Sequence, residues 1–409
     1  MAYAMPTASN NSLNRIEWTW QSNPDPWSTT EPTEWNHYSD VENLIIEEAF
    51  SNKQAQALLD GYYIDFKYNR QISNTNSHKQ RPVKRMVRNR KDKNLREERF
   101  MDLPVASKGS FGGQYDWISP FVIEIRRNLK LKPEELPSKK PDMIPMLVEE
   151  AARGIIEEGK YIGKERQAEK LAQILREQKN KGIKEVWQQC AYIYSLESFL
   201  YKTLNTTMRL VGDKDHEQEW RSKIRTLRPF CLLLWNDPFN TKLKTKKTLY
   251  RVANLKSEQI VNYKEMAKHR DEYRSFEAFT SCSRNREKTE ELGNTLFIMK
   301  VESAFVVDIS ELSEYPNEEE ELVTPDVSFY VKNVEFDRKT NKHLIYLQLQ
   351  QWKSGKWKEI FSNSYYNMKN IHPYYLHLFC PLIISLVYKV TTSSCKCIEV
   401  LRIQYLITK

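Results

Sequence analysis

Apolar residues recur at spacings of three and four through Leu44, Ile45, Glu48, Ala49 and Phe50, which predicts a helix from Val41 to Leu59. Ahead of it lies an aromatic-rich stretch with Trp18, Trp20, Trp27, Trp35 and Tyr38. Tyr62 to Phe66 (YYIDF) reads as a strand, and Arg81 to Val87 alternates apolar and basic residues as an edge strand does. From Pro145 to Lys181 the chain is rich in Glu, Lys, Ala and Leu with acid/base pairs at helical spacing. A second long helix is expected from Ile183 to Val211, where Leu196, Leu200, Leu204 and Met208 form a core stripe. After Leu227 the pattern turns to strands: Phe230 to Trp235, Thr248 to Leu255, Phe276 to Ser283, Thr295 to Ser303 and Val327 to Phe336. The sequence IYLQLQQW then faces WKEIF across Lys353, Ser354, Gly355 and Lys356 as a hairpin. Helices followed by a run of strands give an α+β fold class.

Composition divides this pattern. At 409 residues, with 40% hydrophobic and 29% charged positions, the chain reads as a soluble globular protein of two domains. Residues 1–14 are small and polar and are expected to be disordered, and 15–88 form a first domain. Residues 89–139, charged and Pro-containing with Gly109, Gly112 and Gly113, read as a linker; 140–362 form the second domain. The tail, 363–409, has no assigned role; its apolar run from Tyr374 to Val390 contains His377, Pro381 and Lys389 and falls short of the ~20 residues that cross a bilayer, so no membrane association is expected. The net charge of +9 suggests anionic partners, and residues 79–99 concentrate it with ten basic against three acidic side chains. Six cysteines without paired metal spacing, and an amino terminus without a signal-peptide pattern, lead to the expectation of reduced thiols and an intracellular protein, cytoplasmic or nuclear. No zinc pattern, Walker loop or Rossmann fingerprint is present, so no metal is expected.

The segment from Ser313 to Pro325 places four carboxylates, Glu318 to Glu321, before an apolar strand. In extended chain, residues two apart share a face, so Glu319 and Glu321 pair on one side and Glu318 and Glu320 on the other. By itself such a run is either a solvated turn or a reacting pair. Three segments taken together, TLYRVANL, AFTSCSRN and SEYPNEEEELVTP, resemble in order the Arg, Ser and Glu-x-Glu motifs of the arginine-type mono-ADP-ribosyltransferases. Tyr194, Tyr201, Leu204 and Asn205 extend the resemblance into the preceding helix.

That resemblance implies a helical lobe followed by a split β-sandwich core that uses NAD⁺, with NADP⁺ as a further candidate, as substrate. It implies catalytic roles for Arg251, Ser281, Glu319 and Glu321, and substrate contacts from Tyr250, Arg251, Ser281, Ser283, Tyr315 and Glu321. Arg251 would fork onto the pyrophosphate. Ser281 would hydrogen-bond Glu321, which in turn would accept from the ribose 2′-hydroxyl and stabilise the oxocarbenium-like ribose as nicotinamide leaves. Glu319 would bind the acceptor guanidinium, and Tyr315 would pack on the acceptor or the nicotinamide. Glu318 and Glu320 are left as bystanders. Two positions depart from the family pattern, Val252 in place of Gly and Cys282 in place of Thr.

Residues 15–88 resemble a WWE domain, a half-barrel sheet with one helix, through Trp18-x-Trp20, Trp35-x-x-Tyr38, Ile46-Glu47, Tyr62 to Phe66, Gln71 and Arg81 to Arg85. Trp35, Tyr62, Gln71, Arg81 and Arg85 fall at the positions that relatives use to bind ADP-ribose units, which implies poly(ADP-ribose) or ubiquitin-system partners. The leading expectation is therefore transfer of one ADP-ribose to protein arginine. An interaction protein that binds NAD⁺ or poly(ADP-ribose) with a weakened site is the alternative. A nucleic-acid binder built on residues 79–99 is a third reading, and nucleic acid is not expected to be obligatory.

Overall fold

The computed structural model describes residues 14–89, 96–100, 119–131, 136–211, 215–239, 246–270, 273–325 and 327–350. The expected partner strand of IYLQLQQW and the tail lie outside these residues. Apart from residues 130, 131 and 136, the described residues belong to one compact unit.

The chain opens with β1 (Asn14–Gln21), β2 (Trp35–His37), α1 (Asp40–Ser51), β3 (Gln56–Leu58), β4 (Tyr62–Asp65), β5 (Arg70–Ser73) and β6 (Gln80–Asn89). The strands form one sheet in the order β2-β1-β6-β5-β4-β3. Helix α1 starts at a capping box in which Ser39 Oγ accepts the Glu42 N–H and the Glu42 carboxylate accepts the Ser39 N–H. It lays Ile46 and Ala49 on Trp18, Ala57, Leu59, Ile64 and Val83. The helix ends at Ser51, earlier than the pattern predicts. Lys53 takes a left-handed φ of 55°, and Ala57 then pairs with Ile64 in the sheet, burying the same apolar residues by another route. Strand β6 lies between β1 and β5 and is no edge; within it Val83 is buried, whereas Val87 is exposed.

A helical region follows, comprising α2 (Glu97–Phe100), α3 (Pro120–Asn128), α4 (Ile144–Tyr161), α5 (Glu165–Arg176), α6 (Ile183–Ser195), α7 (Phe199–Leu210) and α8 (Glu217–Trp235). The long helices expected at 145–181 and 183–211 are each two. Gly163, at φ 66°, separates α4 from α5, and Ser198 caps α7 by accepting the Leu200 N–H after a break at Leu196. Helices α4 and α8 touch closely enough that a Cβ on Gly154 would lie 1.9 Å from the Thr226 carbonyl oxygen, so only glycine fits there. Phe230 to Trp235, expected as a strand, is the end of α8. Phe230, Cys231, Leu232, Leu233 and Leu234 are all buried, so no polar positions remain to reveal the helical period.

The remaining elements are β7 (Lys247–Ala253), α9 (Ser257–Met266), β8 (Arg274–Ser275), β9 (Thr280–Ser283), α10 (Arg286–Glu290), β10 (Thr295–Ser303), β11 (Val306–Asp308), β12 (Glu320–Val323), β13 (Ser328–Asp337) and β14 (Lys342–Gln350). Their strands run in the order β11-β12-β9-β7-β10-β14-β13-β8, with β10 and β14 parallel. One apolar cluster includes Val306 near one end of this series and Phe329 near the other, along with Leu249, Phe297 and Ile345, so the sheet folds over its own core. Strand β10 spans the residues that alternation predicts. Strand β14 instead finds its antiparallel partner upstream, in β13, across a turn with Asn341 at φ 56°.

Candidate active site

Strands β12, β9 and β7 are neighbours and carry the Glu, Ser and Arg segments side by side, about 4.8 Å from strand to strand. Register sets their faces. Glu321 stands opposite Cys282, Leu322 opposite Ser281, and Glu320 opposite Ser283. Directly paired residues share a face, so Ser281 and Ser283 lie with Glu320, and no hydrogen bond joins Ser281 to Glu321. Ser283 Oγ donates to the Glu318 carbonyl at 2.7 Å. The buried Arg251 donates through Nη1 to the Ser281 carbonyl and, at 3.2 Å, to the Arg99 carbonyl. Cys282 is fully covered against Met299, and burial pushes its thiol up to about 12, so it packs and stays protonated.

The four carboxylates divide into two pairs by their contacts, although only Glu320 and Glu321 lie in strand β12. Arg284 faces Glu321 at 2.9 Å and Glu319 at 3.6 Å, and it also pairs with Asp308. Lys247 reaches Glu321 as well. Glu321 is itself fully buried, and its Oε2 has no hydrogen-bond partner among the described residues. Glu319 is partly exposed and adopts φ 46°, ending a short 3₁₀ turn over Pro316–Glu318. On the other side, Arg96 forks onto Glu318 at 2.6 Å and Arg99 holds Glu320 at 2.8 Å. The residues expected to be bystanders are thus the ones held by buried arginines, while Glu321 is equally buried and only Glu319 reaches solvent.

Arg96 and Arg99 come from the segment read as linker, and the sequence analysis misses them. Their available signal was two arginines at helical spacing in the basic stretch and two carboxylates left without cations. Arg99 stacks on Tyr194 and Tyr201 at 4.7 and 4.9 Å, while Phe100 packs on Val252, Leu296 and Leu344 beside Tyr250. Tyr194 accepts from Asn205 at 2.8 Å, so the helical residues singled out by sequence do converge. Tyr315 is buried, its ring between Arg15 and Arg96 and its hydroxyl donating to Asp40 at 2.5 Å.

In the N-terminal sheet, Gln71 and Arg81 are cross-strand partners. Tyr38 donates to Gln71 at 2.6 Å, and Arg81 donates to the Gln21 and Asn23 carbonyls. Arg85 pairs with Glu47, which also accepts the Trp18 indole N–H. Tyr62 is exposed on β4; Trp35, on the edge strand β2, lies near Lys84.

Residues 168–355 match the family model for NAD:arginine ADP-ribosyltransferases, and residues 16–85 match that for the WWE domain. No curated protein matches the chain. Among solved structures, the ADP-ribosyltransferase HopU1 of Pseudomonas syringae pv. tomato is 16% identical, with 44% of this chain and 87% of that one covered at a TM-score of 0.34. The type III effector XopAI of Xanthomonas axonopodis pv. citri is 12% identical, with coverage of 60% and 96% at 0.38. C3stau2 of S. aureus, solved with NAD, is 12% identical, with coverage of 41% and 87% at 0.30. The chain thus joins a WWE domain to an ADP-ribosyltransferase domain of the NAD:arginine family.

Proposed function

We propose that the chain transfers a single ADP-ribose from NAD⁺ to a protein arginine, and that the WWE domain directs it to ADP-ribosylated or ubiquitin-system partners. The observation that carries this reading is the buried Glu321 Oε2, an acceptor without a donor beside two cationic side chains. A carboxylate so placed is suited to a ribose 2′-hydroxyl. As the glycosidic C–N bond breaks, nicotinamide leaves with the bonding pair; an arginine nitrogen attacks C1″ and its proton passes to Glu319. Lys247 and Arg284 are partly exposed and would swing aside as substrate enters. Labelled NAD⁺ with poly-arginine tests the reading: label on arginine together with released nicotinamide supports it, and label confined to other side chains refutes the arginine assignment.

A second reading, NAD⁺ or poly(ADP-ribose) binding without turnover, draws on Arg99 and Phe100, which lie against Tyr194, Arg251 and Val252. Calorimetric NAD⁺ binding with no nicotinamide release would favour it.

A further inference from the structure

Asp40 is the first residue of the WWE helix α1, and it is almost completely buried. Its carboxylate accepts from Arg15 at 2.6 Å, from the Tyr315 hydroxyl at 2.5 Å and from the Glu197 N–H at 2.7 Å. Arg96 lies 3.7 Å away, and the Arg96 and Arg15 guanidiniums sandwich the Tyr315 ring at 3.9 and 4.8 Å. Arg96 also binds Glu318 and the Ser195 carbonyl, while Tyr192 donates to Glu314 at 3.0 Å. One buried carboxylate of the first domain therefore ties together the end of α6 and both sides of the loop that delivers Glu319 and Glu321.

We infer that Asp40 is a positioning residue for the acceptor-binding loop, so that the WWE domain forms part of the transferase's own arginine-recognition apparatus in addition to any targeting role. The inference rests on the proposed arginine transfer for its catalytic meaning, but the tether itself is independent of turnover. The physical case is one of alternatives. Residues 309–319 contain one short 3₁₀ turn and no strand, and Glu319 is held at a left-handed φ. The backbone bonds within the loop are those of short turns, from the Leu312 and Ser313 N–H to Ile309 and from the Glu318 and Glu319 N–H to Tyr315 and Pro316, so side chains fix how these turns sit. Ser283, Arg284 and Tyr192 supply some of those side chains, and the rest, Arg15, Asp40 and Arg96, belong to β1, α1 and the segment before α2. Loss of the Asp40 charge leaves Arg15 and Arg96 buried beside Tyr315 without their shared anion, which releases the loop from its N-terminal anchor.

The test uses the full chain, comparing wild type with Asp40→Asn and Tyr315→Phe. Amide hydrogen exchange across residues 311–320 should accelerate at least about tenfold in Asp40→Asn and less in Tyr315→Phe, while protection in β4, β5 and β10 stays unchanged. With agmatine as acceptor, the Asp40→Asn KM for agmatine should rise about tenfold while NAD⁺ hydrolysis keeps its kcat within about twofold. A substitution with a merely structural effect would lower both rates together. Unchanged exchange in the loop of both variants overturns the tether. Faster exchange with an unchanged agmatine KM overturns the positioning role. Should Asp40→Asn fail to fold, Tyr315→Phe, which removes one hydroxyl, decides by the exchange readout alone: unchanged protection across residues 311–320 overturns the tether. Absence of any transfer by wild type would count against the proposed function, and the exchange measurement would still decide whether the tether exists.

Discussion

Glu318 and Glu320 differ from Glu319 and Glu321 in nothing but position, yet the two pairs meet different surroundings. The first pair is buried against Arg96 and Arg99, themselves nearly covered. Arg284 and Lys247, which face the second pair, are about one-third exposed. Buried pairs are costly to break and slow to rearrange, whereas half-exposed cations on flexible stems are displaced at little cost. One face of the acidic run is therefore suited to holding the strand and the other to admitting a substrate.

The most severe test of this division is Glu321→Gln, expected to lower nicotinamide release by about 10³-fold or more, because it removes the carboxylate proposed to meet the developing ribose charge, along with its pairs to Lys247 and Arg284. Arg99→Ala should act on stability: it leaves the buried Glu320 carboxylate with only the longer pair to Arg96 at 3.6 Å and should cost about 3 kcal/mol by urea denaturation. Glu319→Gln should reduce arginine transfer by about 10²-fold while NAD⁺ hydrolysis persists, which separates acceptor activation from ribose activation. Asp40 supplies a pH-dependent test. Burial, the largest influence on its carboxyl, pushes upward, but Arg15, Arg96 and the Tyr315 hydroxyl outweigh it and hold the group below the usual range. With the folded value below the unfolded one, the stabilisation is complete above the ordinary carboxylate pKa of about 3.9 and is lost as pH falls through the folded value. Urea midpoints should drop on acidification below about pH 4, and the drop should shrink in Asp40→Asn. The smallest effect belongs to Arg85→Ala: its pair with Glu47 is partly exposed, and stability should change by less than about 1 kcal/mol.

The sequence makes the second sheet partly legible because its strands keep their period. Residues 295–303 alternate, and β10 follows them. Residues 230–235 mislead because burial on every side erases the period, and 196–198 mislead because the apolar stripe runs unbroken through a capped turn. At the site, the contacts group the four glutamates as the alternation expects, but only Glu320 and Glu321 lie in a strand; Glu318 ends a 3₁₀ turn and Glu319 is left-handed, so extended geometry is not what sorts the first two. The cations that sort with them lie more than two hundred positions away for Arg96 and Arg99, and no local pattern specifies such partners. The Ser281 register likewise depends on how β9 meets β12, which neither strand determines by itself.

The Arg96 and Arg99 pairs also bear on how the protein can be dissected. A fragment starting at residue 140 would retain the segments that align with the transferase family, yet it would lack both guanidiniums and Asp40. Glu318 and Glu320 would then be buried charges without their cations, a costly state for the strand that carries them. A fragment that keeps these pairs therefore begins upstream of Arg96, and one that also keeps Tyr315 seated begins at β1.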